Sequence, residues 1–222
     1  LGAFTEALDL LATRSFDIAT ECLSSSVEVF SRLDARDKGG LLALLMAMGK
    51  TNARDAVTCF QLSPQALSRV NKAEHVRFLN LTRQIVEANG EGMPFFLEGS
   101  HALEKADASL HERLLSWAEE TAAIMPQASA EFLKSSPAVL ERVLLAGLTA
   151  WFAEGKKALE QSPEGGLAFF RLESGRGEDI LNRLCSAITL DNVKEVLGRY
   201  CRALSGKDIE ILPTQELVSK GV

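Results

Sequence analysis

The sequence has no apolar run long enough to cross a membrane and no cluster of basic residues. Its longest uncharged apolar runs cover residues 41–48 and 143–153, whereas a membrane-spanning helix needs about 20 residues. No charged segment followed by an apolar one marks a signal peptide. The net charge is −6 and the lysines and arginines are scattered, so the chain lacks the basic footprint that nucleic acids and anionic membranes attract. We therefore expect a cytoplasmic protein that binds neither.

The sequence is also poor in cysteine. Its four cysteines form no CxxC motif and no pair with zinc-finger spacing, and they are Cys22, Cys59, Cys185 and Cys201. A free cysteine packs like a small apolar residue, and thiols stay reduced in the cytosol. We therefore expect buried free thiols, and Cys22 and Cys59 in particular occupy matching positions of the repeat described below.

Catalytic motifs are missing as well. Gly155-Lys156 and Gly206-Lys207 lack the upstream glycine and the downstream hydroxyl of a phosphate-binding loop. A nucleophile elbow has the motif GxSxG, and Ser100 lacks the glycines two positions before and two positions after the serine. No histidine has a partner four residues away suited to zinc, and we expect all three at the surface or its boundary: His75, His101 and His111. We predict no catalytic residue, no cofactor and no metal, and hence no enzyme.

What the sequence does contain is a repeat of about 37 residues. Four short clusters of aromatic and aliphatic residues each end at or near a serine, and these serines are 37, 36 and 38 residues apart: Ser63, Ser100, Ser136 and Ser174. A step of 37 residues back from Ser63 reaches Ser26. The clusters contain the aromatic residues Phe60, Phe96, Phe132 and Phe170. A repeat of this length is typical of stacked helical units.

Two further features recur in phase with the serines. The first is a large apolar anchor, formed by Leu44, Leu81, Trp117 and, displaced by a few residues, Trp151. The second is a turn signal, formed by Asn52, Asn89-Gly90, Pro126-Gln127 and Ser162-Pro163. We predict that each unit has a short helix after the serine, a longer helix through the anchor, a tight turn and a helix that ends in the aromatic cluster.

Local capping signals support this helical interpretation. Ser63, Ser136 and Ser162 each precede a proline, so we expect the hydroxyl to cap a helix whose first residue is the proline. Ser109 begins a sequence typical of a capping box. Residues 191–205 carry apolar side chains at helical spacing.

These patterns predict an all-α protein. A unit of this kind cannot bury its apolar face alone and has to stack on its neighbours, which favours an α-solenoid of the HEAT or armadillo kind. A compact, irregular helical bundle is the alternative. We expect the helical domain to cover residues 1–206. Residues 207–222 alternate polar and apolar side chains before a proline, which predicts an extended linker with a short strand at 208–212, leading to further sequence.

One polar cluster is a candidate for partner contact. Arg171, Glu173 and Arg176 follow the last aromatic cluster, and binding residues often lie on connecting segments of this kind. The adjacent carboxylates Glu119 and Glu120 cannot form a catalytic pair, because neighbouring residues of a helix point in different directions.

Two segments carry a resemblance to a known family. Residues 166–174, Gly-Leu-Ala-Phe-Phe-Arg-Leu-Glu-Ser, and residues 200–206, Tyr-Cys-Arg-Ala-Leu-Ser-Gly, with Ile-Leu-Pro-Thr at 211–214, resemble the helical region upstream of the von Willebrand factor A domain in large bacterial NorD-like proteins. The resemblance covers mainly residues 128–222. It implies a cytoplasmic protein that works with a MoxR-type AAA+ ATPase in activating or assembling a metalloenzyme. The DxSxS metal motif of the family's A domain is absent.

The sequence leaves two classes of function open. The first is a non-catalytic scaffold that binds another protein along an extended surface. The second is an enzyme or small-ligand binder with a pocket between helices. A shallow extended groove would favour the first, whereas a deep apolar pocket with converging ionisable groups would favour the second.

Overall fold

The computed structural model describes residues 2–89, 92–143, 145–171 and 176–187. Within these residues the chain forms eleven α-helices and two single-turn 3-10 helices and has no β-strand, which confirms the all-α prediction. The helices are α1 (Gly2–Arg14), α2 (Phe16–Ser31), α3 (Ala35–Thr51), α4 (Ala53–Ser68), α5 (His75–Asn89), α6 (Gly92–Lys105), α7 (His111–Ile124), α8 (Pro126–Leu140), α9 (Leu145–Gln161), α10 (Pro163–Phe170) and α11 (Arg176–Ala187). The 3-10 helices Lys72–Glu74 and Ala108–Leu110 precede α5 and α7.

The first ten helices pair into five hairpins, numbered 1 to 5 in chain order. Three residues between the helices of a hairpin cap the second helix, because their side chains accept hydrogen bonds from its first-turn amides: Ser15 from Ile18, Asn52 from Arg54 and Asp55, and Ser162 from Gly165. The predicted turn residues Asn52, Asn89, Pro126 and Ser162 all lie at helix boundaries. Gly90 lies outside the described residues.

Asp34 caps the first helix α3 in a similar way, and Asn71 and Asp107 cap the 3-10 helices that precede α5 and α7. The side chains of Asp34, Asn71 and Asp107, spaced 37 and 36 residues apart, each accept a hydrogen bond from a backbone amide two residues later. The hydrogen bond from the backbone amide of Asp37 is the main cause that lowers the pKa of the Asp34 carboxyl. The pKa of Asp107 is lowered chiefly by hydrogen bonds from the side chain and the backbone of Ser109. Both carboxylates are therefore held in the ionised form.

Each hairpin packs beside the next in chain order. The first helices contact one another in succession, α1 with α3, α3 with α5, α5 with α7 and α7 with α9. The second helices do the same, α2 with α4, α4 with α6, α6 with α8 and α8 with α10. Helix α11 continues the first series by packing against α9.

The aromatic clusters lie in the core, as predicted. Phe60, Phe96, Phe132 and Phe170 are all fully buried. Three of them take part in contacts between successive hairpins: the ring of Phe60 lies 5.4 Å from that of Phe30, and the ring of Phe132 lies 5.5 Å from that of Phe170. Contacts between aromatic rings of this kind add stabilisation beyond the buried area alone.

The four recurring serines that the structure describes do not start helices, and Ser174 lies outside the described residues. Ser26, Ser63, Ser100 and Ser136 all lie inside the second helices of their hairpins, and each hydroxyl donates to a carbonyl three or four residues earlier. The prediction that Ser63 and Ser136 cap a short separate helix is therefore wrong. Pro64 and Pro137 lie inside α4 and α8.

The hydroxyl of Ser63 explains how α4 tolerates an internal proline. Pro64 has no amide to donate to the carbonyl of Phe60 four residues earlier. The Ser63 hydroxyl donates to that carbonyl instead, at 2.8 Å. The capping box at Ser109 is also misplaced, because Asp107 caps the preceding 3-10 helix and α7 begins at His111.

Two histidines are buried, contrary to prediction. His101 is exposed as expected, but His75 and His111 occupy equivalent positions 36 residues apart and connect successive hairpins. The Nδ1 atom of His75 lies 2.9 Å from the carboxylate of Asp37, and its Nε2 atom lies 3.1 Å from the carbonyl of Val70. The ring is buried because these two groups satisfy both of its nitrogens.

Two of the described cysteines are buried, as predicted. Cys22 and Cys59 are free thiols in the core, whereas Cys185 is a free thiol that is only half-buried, contrary to the prediction. Burial raises the pKa of the Cys22 thiol to about 12 and also raises that of Cys59. Cys201, the helix predicted at 191–205, the linker 207–222 with its strand, and hence the domain boundary at residue 206, lie outside the described residues.

Candidate functional site

A groove of about 600 Å³ crosses the outer surface of α7. It is lined by residues of the 3-10 helix before α7, of α7 itself and of the neighbouring first helices α5 and α9: Arg77, Ser109, Leu110, Glu112, Arg113, Ser116, Trp117 and Leu145. The groove therefore spans three successive hairpins, and the stacking of those hairpins brings its walls together.

Trp117 is the aromatic residue among those that line the groove. Its ring stacks on that of Phe152 of the next hairpin, with centroids 4.7 Å apart and planes inclined by 14°. The guanidinium carbon of Arg113, one helical turn earlier, lies 5.9 Å from the Trp117 ring centroid. A cation over the face of tryptophan is attracted by the negative charge of the ring face, so Trp117 holds the Arg113 guanidinium at the groove surface.

The two arginines of the groove differ in their partners. Arg77 binds Glu119 through two hydrogen bonds, of 2.8 and 2.5 Å, and Glu74 lies 3.8 Å away. The hydrogen bond to Glu119 is the main cause that raises the pKa of Arg77. In the described part of the chain, no carboxylate forms an ion pair with Arg113.

This arrangement suits a carboxylate beside an apolar side chain. An arginine stacked on an aromatic ring keeps the N–H donors at its edge available, and their planar fork matches the two oxygens of a carboxylate. Leu110 and Leu145, next to these donors, offer contact to an apolar group. The groove can therefore hold a short acidic and apolar segment of a partner.

Sequence reasoning missed Arg113 as a functional candidate. Trp117 is predicted only as an apolar anchor of the repeat, and the structure leaves it half-buried. The signal that could have found the pair is their spacing, since residues four apart on a helix lie on the same face.

The chain matches no protein-family model, no curated protein and no solved structure.

The cluster predicted from the sequence lies elsewhere. Arg171 is exposed at the end of α10, and its Nε donates to Glu131 at 2.9 Å. It lines a smaller groove of about 180 Å³ together with Glu131, Glu98 and Lys134. Arg176 is the first residue of α11, and Glu173 lies outside the described residues. Partner contact by these three residues stays a prediction.

A third groove is mostly apolar and has a volume of about 620 Å³. It lies among α1, α2 and the start of α3 and is lined by Phe4, Thr5, Leu8, Leu23, Ser26, Val27, Phe30, Lys38 and Leu42. Among the described residues, no three metal-binding side chains come together. No described helix is long and apolar enough to span a bilayer.

Proposed function

We propose that this chain is a non-catalytic scaffold that binds another protein through the groove on α7, and that its hairpins form an α-solenoid. The succession of contacts between like helices of neighbouring hairpins supports the solenoid. Stacks of this kind expose long surfaces on which peptides and protein domains bind.

The observation that carries the proposal is the Arg113 guanidinium held over Trp117 without an ion pair among the described residues. A charged group fixed in this way has already lost part of the side-chain freedom that binding would otherwise restrict. The groove spans three hairpins and is open to solvent along one side, which suits a peptide segment better than an enclosed small molecule.

The alternative is an enzyme or small-ligand binder with a pocket between helices. Such a site would need ionisable groups that converge on a substrate. Among the described residues that line the α7 groove, Glu112 is the one that carries a carboxylate, and Arg77 is paired with Glu119, which does not line the groove. One acidic side chain without a converging acid or base supports a surface for recognition over a catalytic one.

The partner that we propose is a MoxR-type AAA+ ATPase. This part of the proposal comes from the resemblance of residues 166–174 and 200–206 to the helical region of NorD-like proteins. In this account the chain belongs to an A-domain protein that acts with the ATPase, in the cytoplasm, on the activation or assembly of a metalloenzyme.

Calorimetry with a MoxR-type ATPase from the same source tests the proposal, in the presence of ATP and of ADP. We expect saturable binding that Arg113→Ala weakens about tenfold, the cost of one charge-assisted hydrogen bond. The control is Lys157→Ala, which removes an exposed positive charge from α9 about 18 Å along the helix from Leu145.

Two results would contradict different parts of the proposal. No binding in either nucleotide state would remove the ATPase as partner, whereas binding that is insensitive to Arg113→Ala would remove the groove. A saturable hydrolytic or transferase activity that one point substitution abolishes would contradict the non-catalytic function.

A further inference from the structure

Two strips of side chains that differ in charge run along the outer surface of α7 and of the 3-10 helix before it. Residues three or four apart on a helix lie on one face. Leu110, Arg113 and Trp117 have this spacing and form an apolar and positively charged strip, the basic strip. A second strip beside it, the acidic strip, is formed by Ser109, Glu112 and Ser116. Both strips line the α7 groove.

The basic strip faces α9. The ring of Trp117 stacks on that of Phe152 of α9, with centroids 4.7 Å apart, and the guanidinium carbon of Arg113 lies 5.9 Å from the Trp117 centroid. Leu145, the first residue of α9, lines the groove on this side. Because no described carboxylate forms an ion pair with Arg113, this side of α7 carries a positive charge beside apolar surface.

The acidic strip faces α5. The Nη1 atom of Arg77 on α5 donates to the backbone carbonyl of Glu112 at 3.2 Å. The hydrogen bond to Glu119 is the main cause that raises the pKa of Arg77. The negative charges of Glu74 and Glu112 raise this pKa further. Three carboxylates thus share one guanidinium, and the exposed one is Glu112, so this side of α7 keeps an excess of negative charge.

The groove runs across α7 more than along it. On α7 and its 3-10 helix it covers residues 109–117, about 12 Å along the axis. Its walls lie on α5 and α9, at Arg77 and Leu145, and two steps between packed helices are about 16–20 Å. A segment that follows the groove from α5 therefore passes over the acidic strip, then over the basic strip and then over Leu145.

We propose that the α7 groove binds an extended partner segment in which a basic, an acidic and an apolar side chain occur at alternate positions, in that order from α5 to α9. The basic side chain lies beside Glu112, the acidic one binds Arg113 and the apolar one contacts Leu145. This inference rests on the proposed function of the groove and adds the order of charges that a partner needs.

The spacing of the two charges fits an extended segment. Glu112 and Arg113 are neighbours in sequence, so their side chains diverge by about 100° around a helix about 10–12 Å across, which separates their ends by about 8–9 Å. Alternate side chains of an extended segment lie on one face, about 6.6–6.8 Å apart, and flexible side chains cover the difference. A segment with the two charges exchanged places like charges together, which disfavours it.

Nuclear magnetic resonance titration of the full chain with short blocked peptides tests the proposal. The chain has two tryptophans. Trp117 lines the groove and Trp151 is fully buried, so the indole signal of Trp117 reports binding and that of Trp151 is the internal reference. The peptides are Lys-Ser-Glu-Ser-Leu, the variant Gln-Ser-Glu-Ser-Leu and the reordered Glu-Ser-Lys-Ser-Leu. We expect the first to bind about two- to fivefold more tightly than the second, the usual gain from an exposed ion pair, and the third no more tightly than the second.

Glu112→Gln should abolish the difference between the first two peptides, and Arg113→Ala should weaken the binding of both. The matched control is Glu164→Gln, which removes an exposed carboxylate from the first turn of α10 and should leave the difference unchanged. Equal binding of the first two peptides to the native chain would overturn the order of charges and leave the groove in place. So would a difference that persists in Glu112→Gln. No shift of the Trp117 signal with any peptide, at up to about 10 mM, would contradict the groove itself and this proposal with it.

Discussion

The ring of His111 accepts a hydrogen bond at Nδ1 from the backbone amide of Asn71, 2.8 Å away in the preceding hairpin. Since Nδ1 is the acceptor, the ring proton is on Nε2, which lies 2.8 Å from the carbonyl of Leu103. One neutral imidazole thus satisfies two backbone groups at the junction of hairpins 3 and 4.

Replacement of His111 by alanine should therefore destabilise the fold. The change leaves an amide and a carbonyl without their partner, which costs about 1–3 kcal/mol for each buried group. Urea denaturation measures the loss, and His101→Ala, at an exposed histidine, is the control and should change stability by less than about 0.5 kcal/mol. Equal effects of the two substitutions would show that the His111 bonds contribute nothing.

Ser63→Ala should cost more in the native sequence than in a Pro64→Ala background. With Pro64 present, the Ser63 hydroxyl is the donor to the Phe60 carbonyl, and its loss costs about 1–3 kcal/mol. An alanine at position 64 restores an amide that can donate to this carbonyl. A double-mutant cycle measures the coupling, and a coupling energy of zero would contradict this explanation of the internal proline.

Phe132→Ala should lower the free energy of unfolding by about 3–5 kcal/mol, the usual cost of a phenylalanine cavity in a core. Phe132 is fully buried and lies within ring contact of Trp151, Phe152 and Phe170. Ile124→Ala, at a partly exposed position, is the comparison. A loss of only a few tenths of a kcal/mol at Phe132 would show that the phase of the repeat is wrong.

The helix caps should make stability fall in acid. The folded-state pKa of Asp34 is lower than its ordinary value of 3.8. Its stabilisation is therefore complete above that ordinary value and is lost as the pH falls through the folded pKa. Asp34→Asn keeps an acceptor for the cap, so thermal melts of this variant should depend less on pH below about 4 than those of the native chain. Parallel pH profiles would contradict this role.

The buried thiols should react only when the chain unfolds. Burial raises the pKa of Cys22 to about 12 and also that of Cys59, so at neutral pH neither forms the reactive thiolate. A thiol reagent should label Cys185, which is half-buried, before either of them. Under denaturing conditions, all four cysteines should react. Rapid labelling of Cys22 in the folded chain would show that hairpin 1 opens readily.

The periodic features of the sequence predicted the architecture better than the local motifs did. Spacing placed Asn52 and Ser162 at turns and Phe132 in the core, because positions that recur in phase share the same environment in every hairpin. The Ser-Pro motif predicted a helix start at both Ser63 and Ser162. The prediction is wrong at Ser63, although the dipeptide is the same at both positions. At Ser63 the apolar stripe continues past the proline and tertiary packing keeps α4 intact.

The candidate site was harder to predict than the fold. The α7 groove needs three hairpins to bring Arg77, Trp117 and Leu145 together, and a single helix does not show which charges will be paired. The burial of His75 and His111 could have been suspected from their spacing of 36 residues, since that spacing places them at one position of the repeat.

The central claim is that the hairpins form an extended solenoid. The distance between the two ends of the stack tests this claim most directly. Spin labels at Thr13 and Gln161, both exposed at the ends of first helices in hairpins 1 and 5, measure it by pulsed electron resonance. Cys185 and Cys201 are replaced by serine so that they do not take up the label. An excess of unlabelled chain ensures that the measured distance is the one within a single molecule. Four stacking steps of about 8–10 Å each predict a separation of about 30–40 Å. A distribution centred below about 20 Å would place hairpin 5 against hairpin 1 and contradict the solenoid, because that distance fits a compact bundle.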